Sequence, residues 1–202
     1  MIRGFASDQA LALRLRIALR DIEPPIWRRL LVPEHLQLSQ LHNIFQGAMG
    51  WTNSHLHEFD IGGLSYGPMD AEARAMGYPA FDEKRVRLSD FKRRPGITFT
   101  YIYDLGDNWE HDVEIEDFVA VVNEDVPKVL EGARKCPPED VGSVDGYMDF
   151  VEAILDRSHE EHQAMLTWVG GQFDPEAFDL AAANEAVSRA VRSARSSKRR
   201  QR

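Results

Sequence analysis

The chain has 202 residues, one cysteine and a formal net charge of −9 at pH 7. A chain of this length buries ~70% of the surface of its unfolded state, so we expect one domain that folds without disulfides. A single cysteine is typical of a reducing compartment, and the N-terminus has no apolar segment of the kind found in secretory signals. No apolar run approaches the ~20 residues that cross a bilayer, so the sequence predicts a soluble cytoplasmic protein without a membrane partner.

The charge is unevenly distributed along the chain. From Arg189 onward there are seven basic residues and no acidic residue, so removing these seven charges from the total leaves −16 for residues 1–188. We predict a single α+β domain over 1–188 and a basic C-terminal tail over 189–202 that either extends the last helix or is disordered. Because an acidic domain repels phosphate groups, nucleic acid is expected to bind only through this tail.

Alternating apolar and polar residues predict a sheet in the first part of the chain. Strands are expected over 11–19, 26–32, 55–61, 97–104 and 109–119, with a short arm at 64–66 and a weak strand at 85–88. Between the second and third strands, Ser39 is predicted to cap a helix that ends near Gly50.

The last third of the chain is predicted to be helical. A capping box of Ser158 and Glu161 is expected to start a helix that reaches Trp168, and a last helix is expected from Leu180. Residues 67–84 and 123–144 show little pattern and are predicted to be irregular. Strands first and helices last favour an α+β fold, a mostly antiparallel sheet of hairpins with helices packed on one face.

The strands at 97–104 and 109–119 flank a turn-forming segment and predict a central hairpin. Because side chains alternate along a strand, its inner face is expected to be aromatic and apolar: Phe99, Tyr101, Tyr103, Trp109, His111, Val113 and Ile115. The opposite face carries a row of carboxylates, namely Glu110, Asp112, Glu114 and Glu116. Such a row is usually the solvated side of a sheet; pairing with Arg28 and Arg29, or binding of a basic partner, are the alternatives.

Two local patterns favour ordinary structural roles. Residues 63–67 match G-x-S-x-G, but a nucleophile elbow needs a strand before it and a helix after it, and a glycine-rich hairpin turn fits better. Cys136 lies beside Lys135, an arrangement that favours either a reactive thiol or, more simply, a loop residue that packs inward.

Several ordered motifs lie between about Leu11 and Leu180, namely PIWRR at 25–29, LH at 41–42, GW at 50–51, HLHEF at 55–59, YDLGDNWEH at 103–111 and CPPEDVG at 136–142. Together they resemble the plasmid Ri ORF-three-like family, many of whose members are named transposon passenger proteins or TnpR resolvases. The chain departs from the family at Ser143, where a second glycine is expected. The resemblance implies a single α+β domain and brings no established activity. The acidic domain argues against recombinase chemistry, as does Ser7, which lacks the arginines that activate a recombinase serine.

Polar and aromatic residues of several predicted strands are expected to converge at one end of the sheet. The predicted ligand-binding residues there are Arg28, Tyr103, Asp104, Asp107 and Trp109. His55 and His57 are expected on one strand face, where they can share a divalent metal ion with His111 and a carboxylate of Asp104 or Asp107; the alternative is a half-buried hydrogen-bonded network.

We therefore favour a binding or interaction module for a protein or small-molecule ligand. The alternatives are a metal-dependent enzyme that uses His55, His57 and His111 with a carboxylate as general base, and a nucleic-acid accessory protein of a mobile element that acts through its tail. No catalytic motif in a convincing context decides whether the chain is an enzyme.

Overall fold

The computed structural model describes residues 10–69, 75, 77, 81–91, 96–121 and 125–200. Within these residues the strands are β1 (Ala10–Leu19), β2 (Trp27–Pro33), β3 (His57–Ile61), β4 (Leu64–Gly67), β5 (Phe81–Asp82), β6 (Ile97–Tyr103), β7 (Trp109–Val121) and β8 (Lys128–Ala133). The helices are α1 (Leu38–Met49), α2 (Ser143–Leu155), α3 (His162–Trp168) and α4 (Leu180–Arg200).

The described strands form one sheet in the order β5-β4-β3-β6-β7-β1-β2-β8. Its neighbouring strands are antiparallel, apart from the short parallel pair of β4 and β5. Helices α1, α2 and α4 contribute apolar residues to one buried core with the inward faces of the strands. The predicted α+β class and the helical C-terminal third are confirmed, and no described helix is long and apolar enough to cross a membrane.

Several local predictions differ from the structure, and one is the short strand β5 at Phe81–Asp82, which lies in the stretch 67–84 that was predicted to be irregular. Helix α1 is capped two residues earlier than predicted, at Gln37 instead of Ser39, and Gln37 donates its backbone N–H to the side chain of Gln40. The expected strand at 85–88 is replaced by two 3-10 turns. Helix α3 begins only at His162, since Ser158 donates to the carboxylate of Asp156 instead of capping it.

Strand β8 is a further difference, since it lies in the stretch 123–144 that was predicted to be irregular. As an edge strand it pairs only with β2, and Val129 is its one fully buried residue. A strand with a single buried position shows no alternation in the sequence, so periodicity could not reveal it.

The outer face of the sheet is a network of opposite charges. Arg20 pairs with Glu110 and with Asp112, at 2.5 Å from the latter, and Arg29 pairs with Glu116 at 2.7 Å and also with Glu131. Each exposed pair stabilises the fold by ~0–1 kcal/mol. The predicted row of carboxylates therefore meets arginines of the same sheet.

Helix α4 lies directly on α1, and Gly47 makes this approach possible. A Cβ atom on Gly47 would come within 2.9 Å of the backbone nitrogen of Val187, closer than carbon and nitrogen atoms pack. Val191 is the last described residue of α4 that packs against the core, and Arg192 and Ser193 are exposed. The helix continues to Arg200, across the boundary predicted at residue 189.

His111 is the one histidine that lies wholly inside the core of the described chain. Its Nδ1–H donates to the carbonyl oxygen of Tyr101 at 3.1 Å, and its Nε2 is buried without a hydrogen-bond partner. Burial lowers the pKa of His111 from 6.5 to about 4. The unfolded chain therefore binds a proton more readily than the folded one, and stability is lost as the pH falls from 6.5 towards 4.

We predict that His111→Phe weakens this acid sensitivity, because phenylalanine keeps a flat ring and cannot be protonated. Measured by urea unfolding, the loss of unfolding free energy between about pH 7.5 and about pH 5 should shrink by about 2 kcal/mol relative to wild type. The His35→Ala variant, which removes an exposed histidine outside the core, serves as the control. Equal pH dependence in His111→Phe and wild type would contradict the assignment.

We also predict that deletion of residues 193–202 changes the melting temperature by no more than about 2 °C, because Val191 is the last of the described α4 side chains that packs on the core, and Arg192 and Ser193 are exposed. If nucleic acid binds through the tail, the full chain should bind duplex DNA with steep salt dependence and the truncated chain should not. Tight, salt-insensitive DNA binding by the truncated chain would refute the prediction that nucleic acid binds only through the tail.

Candidate functional site

The β6–β7 hairpin ends in a tight turn that is fixed by its own first residue. Asp104 adopts a left-handed backbone conformation with φ 55°, and its Oδ1 accepts the N–H of Gly106 at 3.0 Å. Its own N–H donates to the carbonyl oxygen of Leu56 at 2.9 Å, which holds the segment before β3 against the turn. The bond from Gly106 engages Oδ1, while Oδ2 lies 3.7 Å from Nε2 of His55.

His55 lies among three carboxylates at this end of the sheet. Its Nε2 is 3.2 Å from Oδ1 of Asp140, 3.7 Å from Oδ2 of Asp104 and 3.8 Å from Oε2 of Glu139. The Nε2 atom is buried, yet none of these contacts has hydrogen-bond geometry. We call these four residues the sheet-end site.

Glu139 is held in place by three donors. Its Oε1 accepts the backbone N–H of Thr52 at 2.7 Å and the hydroxyl of Thr52 at 2.9 Å. The buried hydroxyl of Tyr103 donates to the same carboxylate at 3.1 Å and accepts the N–H of Ser54 at 3.0 Å. Tyr103 thus lies at the predicted place and positions an acidic residue of the site.

The three histidines predicted as metal ligands do not come together. The strand predicted at 55–61 begins only at His57, so His55 lies in the preceding loop. It is therefore not on the strand face where the two-residue alternation placed it beside His57. The Nε2 atom of His57 lies 2.8 Å from Oε2 of buried Glu83, and His111 is enclosed in the core. Among the described residues, the potential ligands within 4.8 Å of one another are His55, Asp104 and Asp140.

Three other predicted site residues have structural contacts. Trp109 is buried in the core, and Oδ2 of Asp107 accepts the backbone N–H of Gly142 at 3.0 Å, which ties the hairpin turn to the start of α2. Arg28 is 2% exposed and donates only to backbone carbonyl groups. None of the three belongs to the sheet-end site.

Glu139 and Asp140 were missed as site residues because they lie in the stretch predicted to be irregular. The CPPEDVG motif at 136–142 contains both and was the available signal. Asp140 also borders a groove of about 450 Å³ between α2 and α3, whose apolar wall includes Phe150, Met165 and Trp168.

A second cluster of polar side chains is buried in the protein, and the sequence did not predict that these residues come together. The rings of His42 and His57 stack with centroids 3.4 Å apart. The hydroxyl of Tyr101 lies 2.8 Å from Nδ1 of His42, while Asn53 Oδ1 lies 2.7 Å from Nε2. Burial lowers the pKa of His42 to about 3 and raises that of Glu83 to about 7, so at pH 7 His42 is neutral and Glu83 is about half protonated. The hydrogen bonds of this network satisfy its buried polar groups.

The remaining candidates have no catalytic setting. Ser65 of the G-x-S-x-G match lies on β4, which pairs with β3 in an antiparallel hairpin, whereas a nucleophile elbow belongs to a parallel strand–helix arrangement. Cys136 is buried, and burial raises the pKa of its thiol, so the reactive form is disfavoured.

Comparison with known proteins places this architecture in a family. A protein of Sinorhizobium fredii (strain NBRC 101917 / NGR234), named "Uncharacterized protein y4hQ", is 41% identical over 180 residues that cover 88% of this chain and 91% of the relative. The crystal structure of a protein of unknown function, MM3350 from Methanosarcina mazei Go1, has a TM-score of 0.77 and 34% identity, covering 86% of this chain and 97% of that one. The family model described as "Plasmid pRiA4b ORF-3-like protein" matches residues 11–182, so the chain belongs to the plasmid pRiA4b ORF-3-like family.

Proposed function

We propose that this protein is a binding module whose sheet-end site holds a divalent transition-metal ion, with His55, Asp104 and Asp140 as ligands. The observation that carries the proposal is the buried Nε2 of His55, which lacks a hydrogen bond and lies 3.2–3.8 Å from carboxylate oxygens. Donor atoms around a tetrahedral zinc ion with bonds of ~2.0–2.1 Å lie roughly 3.3 Å apart, close to this spacing.

The chemistry of the donors narrows the kind of ion. Calcium and magnesium prefer sites made entirely of oxygen atoms, whereas an imidazole nitrogen combined with carboxylates suits zinc, iron or manganese. The half-buried His55, with 27% of its side chain exposed, supports an ion that reaches the site from solvent.

Electrostatics also supports a divalent ion. Asp104, Glu139 and Asp140 bring three negative charges to one imidazole, so even a protonated His55 would leave an excess of negative charge. Carboxylates gathered around one imidazole repel one another. A doubly charged ion reduces this repulsion and can be bound by Nε2 of His55.

A metal-dependent hydrolase is the second candidate function. The side chain of Asp140 is 73% exposed, so the outer side of a bound ion would be open to water or substrate. Glu139 is then the nearby carboxylate that can act as general base.

We predict that purified wild-type protein binds about one equivalent of zinc or manganese by calorimetry, and that His55→Ala and Asp104→Asn each weaken binding at least ~10-fold. Elemental analysis without chelators should find the same ion. Hydrolysis of nitrophenyl esters and phosphates by the metal-loaded protein tests the second candidate.

Two variants serve as matched controls. Asp107→Asn lies in the same turn as Asp104, but its amide oxygen still accepts the N–H of Gly142, so metal binding should be unchanged. His35→Ala removes an exposed histidine that does not belong to the sheet-end site, so metal binding should again be unchanged. Equal metal binding by His55→Ala and wild type would refute the proposal.

A further inference from the structure

A cavity of about 500 Å³ opens between the end of α1, the start of α4 and the segment that follows β8. Its apolar walls include Met49, Trp51 and Phe178, and it has the volume of a typical small-molecule site. We call it the α1–α4 cavity. The predicted metal and ligand residues other than Arg28 do not line it.

Arg28 lies in the wall of this cavity with an uncompensated charge. Its guanidinium donates four hydrogen bonds, to the carbonyl oxygens of Trp27, Ala48, Ala133 and Arg134 at 2.7–2.9 Å. A guanidinium has five N–H groups, so one on Nη2 remains. No carboxylate of the described residues lies within ion-pair distance of it.

Buried charges in proteins are normally paired, because an isolated charge loses its hydration without gaining a counter-ion. Carbonyl dipoles and the ring of Phe178, 4.3 Å from the guanidinium carbon, reduce this cost for Arg28 without cancelling the charge. A ligand anion in the cavity would supply the missing counter-ion.

The rest of the cavity wall is also positive, although the whole chain carries a net charge of −9. Lys135 and Arg189 line it together with Arg28, against a single carboxylate, Asp179. The Asp179 side chain is engaged in capping α4, where it accepts the N–H of Ala182 at 3.0 Å. Lys135 also lies 4.5 Å from the ring centroid of Phe173, and Arg189 pairs with exposed Glu185 at 3.5 Å, so Arg28 is the buried cation of the three that has no carboxylate partner among the described residues.

We propose that the α1–α4 cavity binds a small organic anion, a carboxylate or phosphate group on an apolar body. The anionic group lies at the side of Arg28, Lys135 and Arg189, and the apolar body packs against Trp51 and Phe178. This site is separate from the sheet-end site and stands whether or not that site binds a metal.

The test uses the full chain and three probes that share a phenyl ring: benzoate, phenyl phosphate and benzamide. By calorimetry at low salt, benzoate or phenyl phosphate at up to about 5 mM should bind, and the tighter-binding of the two identifies the anionic group that the cavity prefers. Benzamide, the neutral analogue of benzoate, should not bind. Equal binding of benzamide and both anions would overturn the proposal, as would absence of binding by all three.

Variants then localise the binding. Lys135→Gln with Arg189→Gln should weaken binding of the anion about 10-fold or more, since both remove a charge that faces the ligand. Arg192→Gln, an exposed cation one turn further along α4, is the matched control and should bind as wild type. Ala182→Phe places a ring in the cavity and should abolish binding.

Arg28 itself is unsuitable as the first variant, because its loss also removes four bonds to the backbone. Melting temperatures of the Lys135, Arg189 and Ala182 variants show whether each is folded. Anion binding that survives in these folded variants with wild-type affinity would refute the cavity as the site.

Discussion

The fold depends on one buried guanidinium. Arg28 joins the carbonyl oxygen of Ala48 at the end of α1 to those of Ala133 and Arg134 at the exit of β8. These two points begin the segments that carry His55 and Asp140, so Arg28 helps to set their separation, together with the bonds from Trp51 to Pro137 and from Thr52 to Glu139. Gly132 makes room for it, because a Cβ there would come within 2.7 Å of the Arg28 side chain.

The sequence predicted the hairpins well because their evidence is local. In the β6–β7 hairpin, a period of two assigned Tyr101, Tyr103, Trp109 and His111 to the inner face, and all four are buried there. The same local logic missed β8, whose only fully buried residue is Val129. Alternation reports burial on one face, and an edge strand with little burial gives no such signal.

The site was harder to predict because it is built by contacts between distant segments. His55 and His57 are two residues apart, which suggested one strand face, but the bond of Asp104 to Leu56 holds the first histidine outside the regular strand. Glu139 reaches Tyr103 from a segment without periodicity, at 3.1 Å. Arg28 was predicted beside these residues, but in the fold it lies outside the sheet-end site, bonds four backbone carbonyl groups and lines the α1–α4 cavity.

The two candidate sites share one connecting segment. After β8 the chain places Lys135 in the wall of the α1–α4 cavity, and four residues later Glu139 in the sheet-end site. Between them, the carbonyl oxygen of Pro137 accepts the indole N–H of Trp51 at 3.0 Å, and the Trp51 ring packs on Tyr103, whose hydroxyl bonds Glu139. A short, tightly bonded segment thus separates a positive cavity from a negative site. Trp51 both lines the cavity and packs on Tyr103. The same tryptophan therefore fixes the position of Lys135 at the cavity relative to that of Glu139 in the sheet-end site.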